Sequence, residues 1–107
     1  MRLKDKTAIV TGAASGIGLA TALKFGQEGA TVMCADMNED GAAKTAARII
    51  DLGGQAASFK VDVTKEAEIQ ALVADTIKRW ERVDVMFNNA GIEFGIPVTQ
   101  VSELQWD

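Results

Sequence analysis

Three glycines are spaced to hold a diphosphate: Gly12, Gly16 and Gly18, within Thr11-Gly-Ala-Ala-Ser-Gly-Ile-Gly18. The run separates an apolar segment from a helix-forming one. Gly12 allows a sharp turn off a strand, Gly16 leaves the backbone open to a pyrophosphate, and Gly18 allows the helix to pack closely. The free N–H groups and positive dipole end of the helix then hold the phosphates, with Ser15 adding its hydroxyl and Ile17 its backbone N–H. A tight turn without a ligand is the plain alternative. The Gly-Lys-Ser/Thr of a nucleoside-triphosphate loop is absent, which removes kinase-like and ATPase-like chemistry.

Asp36 follows Gly18 by 18 residues and closes the second apolar run. A carboxylate there can accept from the hydroxyls of an adenosine ribose. A 2′-phosphate at the same place would meet it with like charge. Its neighbours Met37, Glu39 and Asp40 add no positive charge, so the expected cofactor is NAD and not NADP. The alternative is a carboxylate that merely caps the turn into the next helix. Asp62-Val63 and Asn88-Asn-Ala-Gly91 close the third and fourth runs. Asp62 could accept from an adenine amino group and Val63 could offer backbone contact. Asn88 and Asn89 could tie strand ends together, while Ala90 and Gly91 are small enough for a ring or ribose to approach. A polar turn after each strand reads equally well.

These residues need a scaffold, and the chain alternates accordingly. Strands are expected at Thr7–Thr11, Thr31–Asp36, 56–63 and 83–87, with helices over 15–28, 38–52 and 65–80. In the third helix Ile69, Leu72, Val73, Thr76, Ile77 and Trp80 form one stripe. Ser102-Glu-Leu-Gln105 matches a capping box and predicts a further helix from there. Strands separated by helices imply a parallel sheet with right-handed crossovers. The near-continuous apolar strands imply cover on both faces.

Composition sets the outer bounds. The 107 residues suit one domain, 1–107, and the chain reads as cut at the start of that last helix. A formal charge of −4 with scattered Lys and Arg argues against nucleic acid. No apolar run is long enough to span a membrane, and no signal peptide precedes the first strand. There is one cysteine, Cys34, and no histidine, so neither a disulfide nor a zinc site is expected. A reducing cytoplasm is the expected compartment, and Cys34 is expected to be inert packing.

Together the three blocks Thr11–Gly18, Asp62-Val63 and Asn88–Gly91 resemble the short-chain dehydrogenase/reductase family, over essentially the whole chain. The resemblance implies a Rossmann-like, doubly wound α/β fold with strand order 3-2-1-4. It also implies hydride exchange between NAD or NADP and a small-molecule secondary alcohol or ketone, and a homo-oligomer, with Asp36 selecting NAD. It places Gly12, Ser15, Gly16, Ile17 and Gly18 along the pyrophosphate, Asp36 at the ribose, and Asp62 and Val63 at the adenine. Asn89, Ala90 and Gly91 fall on the adenosine side, and Asn88 is the family's sheet-stabilising asparagine. The family's catalytic Tyr-x-x-x-Lys cannot lie within these residues, which contain no tyrosine. The 107-residue chain alone is therefore expected to be catalytically silent. Two other classes stay open: a non-catalytic dinucleotide-binding or structural module, and a methyltransferase-like sheet that binds S-adenosylmethionine. The asparagine block argues against the latter. An unpaired edge on the fourth strand would favour self-association.

Overall fold

The alternating pattern becomes a single sheet in the computed structural model, which describes residues 3–89 and the backbone of 101–103. The elements in chain order are β1 (Thr7–Thr11), α1 (Gly16–Gln27), β2 (Thr31–Asp36), α2 (Glu39–Asp51), β3 (Gln55–Lys60), α3 (Glu66–Trp80), β4 (Val85–Asn88) and β5 (Val101–Glu103). The strand order is β3-β2-β1-β4-β5, and the first four are mutually parallel. The expected order 3-2-1-4 is therefore present, built from the strands predicted.

Alternation along β1 and β2 divides the core between two faces. Ala8, Val10, Val32 and Cys34 pack with Ala22 of α1 and Ala42, Ala46 and Ile49 of α2. Ile9, Met33 and Ala35 pack on the other face with Leu72 of α3, flanked by Ile69, Val73 and Trp80. Both faces of the central strands are thus dry, which is why they carry no polar–apolar alternation. Ile77, expected on the buried stripe of α3, is instead 45% exposed.

Helix ends follow local chemistry. The Asn38 side chain caps α2 by accepting from the Gly41 N–H at 3.0 Å. After α1, Gly29 adopts φ +96° and the Ala30 N–H returns to the Phe25 carbonyl, closing the helix.

Three boundaries differ from the sequence expectation. β3 ends at Lys60; the Val61 N–H still donates to the Asp36 carbonyl of β2 at 3.1 Å, and Asp62 and Val63 form the turn into α3. β4 begins at Val85, because Asp84 is used at the strand entrance: its N–H donates to the Thr7 carbonyl and its Oδ2 accepts from the Thr7 N–H, both at 2.8 Å. The helix predicted from Ser102 is corrected: Val101–Glu103 instead form β5, antiparallel to β4, with Phe87 opposite Val101 and Val85 opposite Glu103. The capping-box pattern is a local preference, whereas the open edge of β4 offers unpaired backbone groups from far away in sequence. The expected bare edge on β4 is corrected by the same pairing.

Candidate functional site

The C-terminal ends of β1, β2, β3 and β4 bring their closing residues to one side of the sheet. A cavity of about 310 Å³ lies there, lined by Gly12, Ser15, Asp36, Met37, Val61, Asp62, Val63, Thr64 and Asn89. This is the crevice position at which open parallel sheets hold ligands. Six of the eleven residues expected from sequence to bind cofactor line it. Gly16 and Gly18 belong to the same glycine turn as Gly12 and Ser15 but do not line the cavity. Ile17 is exposed and lines a separate apolar groove with Phe25 and Phe87. Ala90 and Gly91 lie outside the described residues.

Each glycine of the turn has a distinct reason. Gly12 adopts φ +68°, and a Cβ there would stand 2.7 Å from Nδ2 of Asn89. At Gly18 a Cβ would fall inside the Gly12 carbonyl oxygen, so the turn folds back directly onto α1. Gly16, at φ +58°, faces open space, with nothing within 4 Å of where its Cβ would be. A side chain there would project into that open space. Ser15 is the N-cap residue but its side chain makes no cap bond, leaving the hydroxyl available to a ligand. The first intrahelical bond runs from Leu19 N–H to the Ser15 carbonyl. The N–H groups of Gly16, Ile17 and Gly18 precede it and have no acceptor within the helix. A turn of this kind fits a diphosphate.

Surrounding elements hold the turn in place. The Ala13 N–H donates to the Ala35 carbonyl at 3.1 Å, and the buried Thr45 hydroxyl of α2 donates to the Ala13 carbonyl at 2.8 Å. Asp36 accepts from two directions: Oδ2 takes the Ala14 N–H at 3.0 Å, and Oδ1 takes the Asn38 N–H at 2.9 Å. The turn-capping reading of Asp36 is therefore correct as far as it goes, and the same carboxylate also lines the cavity. Asn88 ties neighbouring strand ends as expected, its Oδ1 accepting from the Thr11 hydroxyl at 3.0 Å.

Asp62 sits in a turn of its own. Its Oδ1 accepts from both the N–H and the hydroxyl of Thr64, at 3.0 and 2.6 Å, and its own N–H donates to Oε1 of Glu68 at 2.8 Å. The Thr64 hydroxyl and then its N–H hold the Asp62 carboxyl below the ordinary value of 3.8, against a smaller opposing effect of burial and with help from the Lys65 charge. Sequence reasoning passed over Thr64, Glu68 and Thr45. Thr64 had a signal: a hydroxyl residue two after an aspartate is the pattern of a side-chain-closed turn. Glu68, the third residue of α3, occupies the capping-box position.

Residues 6–107 match the family model described as short chain dehydrogenase. The chain is 48% identical over 93 residues to an uncharacterized oxidoreductase, YxbG, of Bacillus subtilis, covering 86% of this chain and 34% of that one. It is 37% identical over 107 residues to the 3-oxoacyl-[acyl-carrier-protein] reductase FabG of Thermotoga maritima, covering 100% of this chain and 44% of the relative. A solved structure, a hydroxysteroid dehydrogenase from Escherichia coli, superposes with a TM-score of 0.78 at 41% identity, covering 79% of this chain and 36% of that one. The chain thus spans between about a third and just under half the length of these relatives.

Proposed function

The chain belongs to the short-chain dehydrogenases, whose cofactors are nicotinamide dinucleotides, and we propose that it forms the NAD-binding part of an oxidoreductase acting on a secondary alcohol or ketone. Bound NAD supplies the hydride acceptor for such a reaction. The residues here bind and orient its adenosine diphosphate half: Gly12, Ser15, Gly16, Ile17 and Gly18 at the pyrophosphate, Asp36 at the ribose, Asp62 and Val63 at the adenine. Asn89, Ala90 and Gly91 complete the adenosine side.

The observation that carries the choice of NAD is Asp36. Its carboxylate lines the cavity beside the glycine turn, and among the described residues no Lys or Arg lines that cavity with it. A 2′-phosphate would meet an anion with no counter-charge. The substrate class is supported by the names of relatives, a 3-oxoacyl reductase and a 7alpha-hydroxysteroid dehydrogenase of Escherichia coli, which share a secondary carbinol or ketone centre. The tyrosine that the family resemblance assigns to proton transfer is not among these 107 residues, which contain no tyrosine. Assayed alone they turn over no alcohol. We place the protein in the cytoplasm, as a homo-oligomer acting on a small molecule.

Titration calorimetry of the 107-residue chain with NAD and with NADP tests the reading. Binding of NAD in preference to NADP is expected. Equal or tighter binding of NADP overturns the cofactor assignment. Binding of neither leaves a fold without the proposed activity, and competition by S-adenosylmethionine would point to the methyltransferase-like alternative.

A further inference from the structure

Asp62 is the one carboxylate of the cavity that a neighbouring side chain grips from outside the turn's own backbone. Its backbone is pinned by Glu68 of α3, whose Oε1 accepts the Asp62 N–H. Its side chain is pinned by Thr64, whose hydroxyl and N–H both donate to Oδ1. Oδ2 accepts from no group among the described residues. The side chain of Thr64 is exposed and lines the cavity with Asp62 and Val63. A carboxylate on a surface turn would ordinarily rotate among several positions. Here one oxygen is committed, which leaves the other as the acceptor for a donor entering the cavity.

We propose that Thr64 is a positioning residue that sets base specificity: by fixing Oδ1 of Asp62 it presents Oδ2 as a single acceptor, which selects a purine bearing an amino group over one bearing a carbonyl. The inference rests on the assignment of Asp62 to the adenine end of NAD. A base with a carbonyl at the amino position brings oxygen against carboxylate oxygen, with no proton between them. The lowered protonation tendency of Asp62 keeps it an acceptor and not a donor near neutral pH.

The test compares the affinity of NAD with that of nicotinamide hypoxanthine dinucleotide, by calorimetry on the 107-residue chain and its variants. The unsubstituted chain is expected to prefer NAD by about tenfold, the scale of one hydrogen bond to a charged group. Thr64→Val, which keeps the shape and removes the hydroxyl, is expected to shrink that preference to about threefold or less, and Thr64→Ser to restore it. A merely structural role for Thr64 would weaken both dinucleotides equally and leave the ratio unmoved, and that outcome overturns the inference. Asp62→Asn separates the two levels. If it abolishes the preference while Thr64→Val leaves it intact, the positioning role fails and the Asp62 assignment stands. If Asp62→Asn leaves the preference intact, or the unsubstituted chain binds neither dinucleotide, the assignment fails and the inference falls with it. Circular dichroism of each variant keeps folding separate from binding.

Discussion

Oδ2 of Asp36, at the end of β2, accepts the backbone N–H of Ala14 in the glycine turn at 3.0 Å, across 22 residues of sequence. The residue proposed to read the ribose is therefore also a strut for the loop proposed to hold the phosphates. The two ends of an adenosine diphosphate would be organised by one side chain.

Replacing Asp36 by Ala removes both functions. We expect the affinity for NAD to fall by about 10- to 100-fold, in line with about 1.5–3 kcal/mol for hydrogen bonds to a charged group. The affinity for NADP should fall less, because the repulsion of the 2′-phosphate disappears together with the strut. Calorimetric dissociation constants for both dinucleotides check this, and an unchanged NAD affinity contradicts it.

Gly16 and Gly18 should fail differently. A methyl group at Gly18 collides with the Gly12 backbone carbonyl, which must shift to admit it, so this overpacking should cost about 3 kcal/mol of stability or more. At Gly16 there is open space, so Gly16→Ala should cost only about 1–2 kcal/mol for its left-handed backbone. It should nevertheless obstruct the place where a diphosphate approaches. Urea titration and NAD titration of the two variants, read side by side, test whether stability and binding separate.

Asp84 should dominate the acid response. It is fully buried, pairs with Arg82 at 2.5 Å and accepts the Thr7 N–H. Burial pushes its carboxyl upward, but the Arg82 and Thr7 hydrogen bonds and the charges of Arg82 and Lys6 outweigh it, so its net position is below 3.8. A depressed folded value means that the unfolded chain takes up the proton first as pH falls. The stability it contributes is complete above the ordinary carboxylate range and is lost as pH drops through 3.8 toward the folded value. Asp84→Asn should lower stability at pH 7 by about 2–4 kcal/mol, toward the low end because Arg82 is partly exposed. It should also flatten the loss between pH 5 and pH 3. Urea midpoints across that range, for both proteins, decide it.

Cys34 should be silent in the folded chain. It lies in β2 with no solvent exposure, and burial pushes its thiol up to about 12. Thiolate is the reactive form. A disulfide reagent at pH 8 should therefore label it only as fast as the sheet opens, and fully in urea. Rapid labelling of the folded protein would show that β2 is not covered as described.

The contrast between Ser102 and Asp36 shows where sequence reading works and where it stops. At Asp36 the needed information is local: a carboxylate closing an apolar run, at a set distance from a glycine turn, sits beside the cavity as expected. At Ser102 the local information points to a helix, and the pairing partner that makes a strand lies on β4. Asp84 reads as an odd polar residue in an apolar strand until Thr7 and Arg82 are seen around it. Ile77 fits the helical stripe, yet it is exposed, while Thr76 and Trp80 beside it turn inward.

The order of residue types along the chain determined the four parallel strands, the three helices between them, the glycine turn and the acidic and asparagine residues at the strand ends. These follow from short-range terms: hydrophobic period, caps and the backbone freedom of glycine. Tertiary structure alone decided that β5 completes the edge, that Asp36 braces the glycine turn, that Thr64 and Glu68 hold Asp62, and that Asp84 anchors the start of the sheet. Each of these joins groups brought together by chain folding, whose contact depends on register and packing and not on any property of the residues taken one at a time.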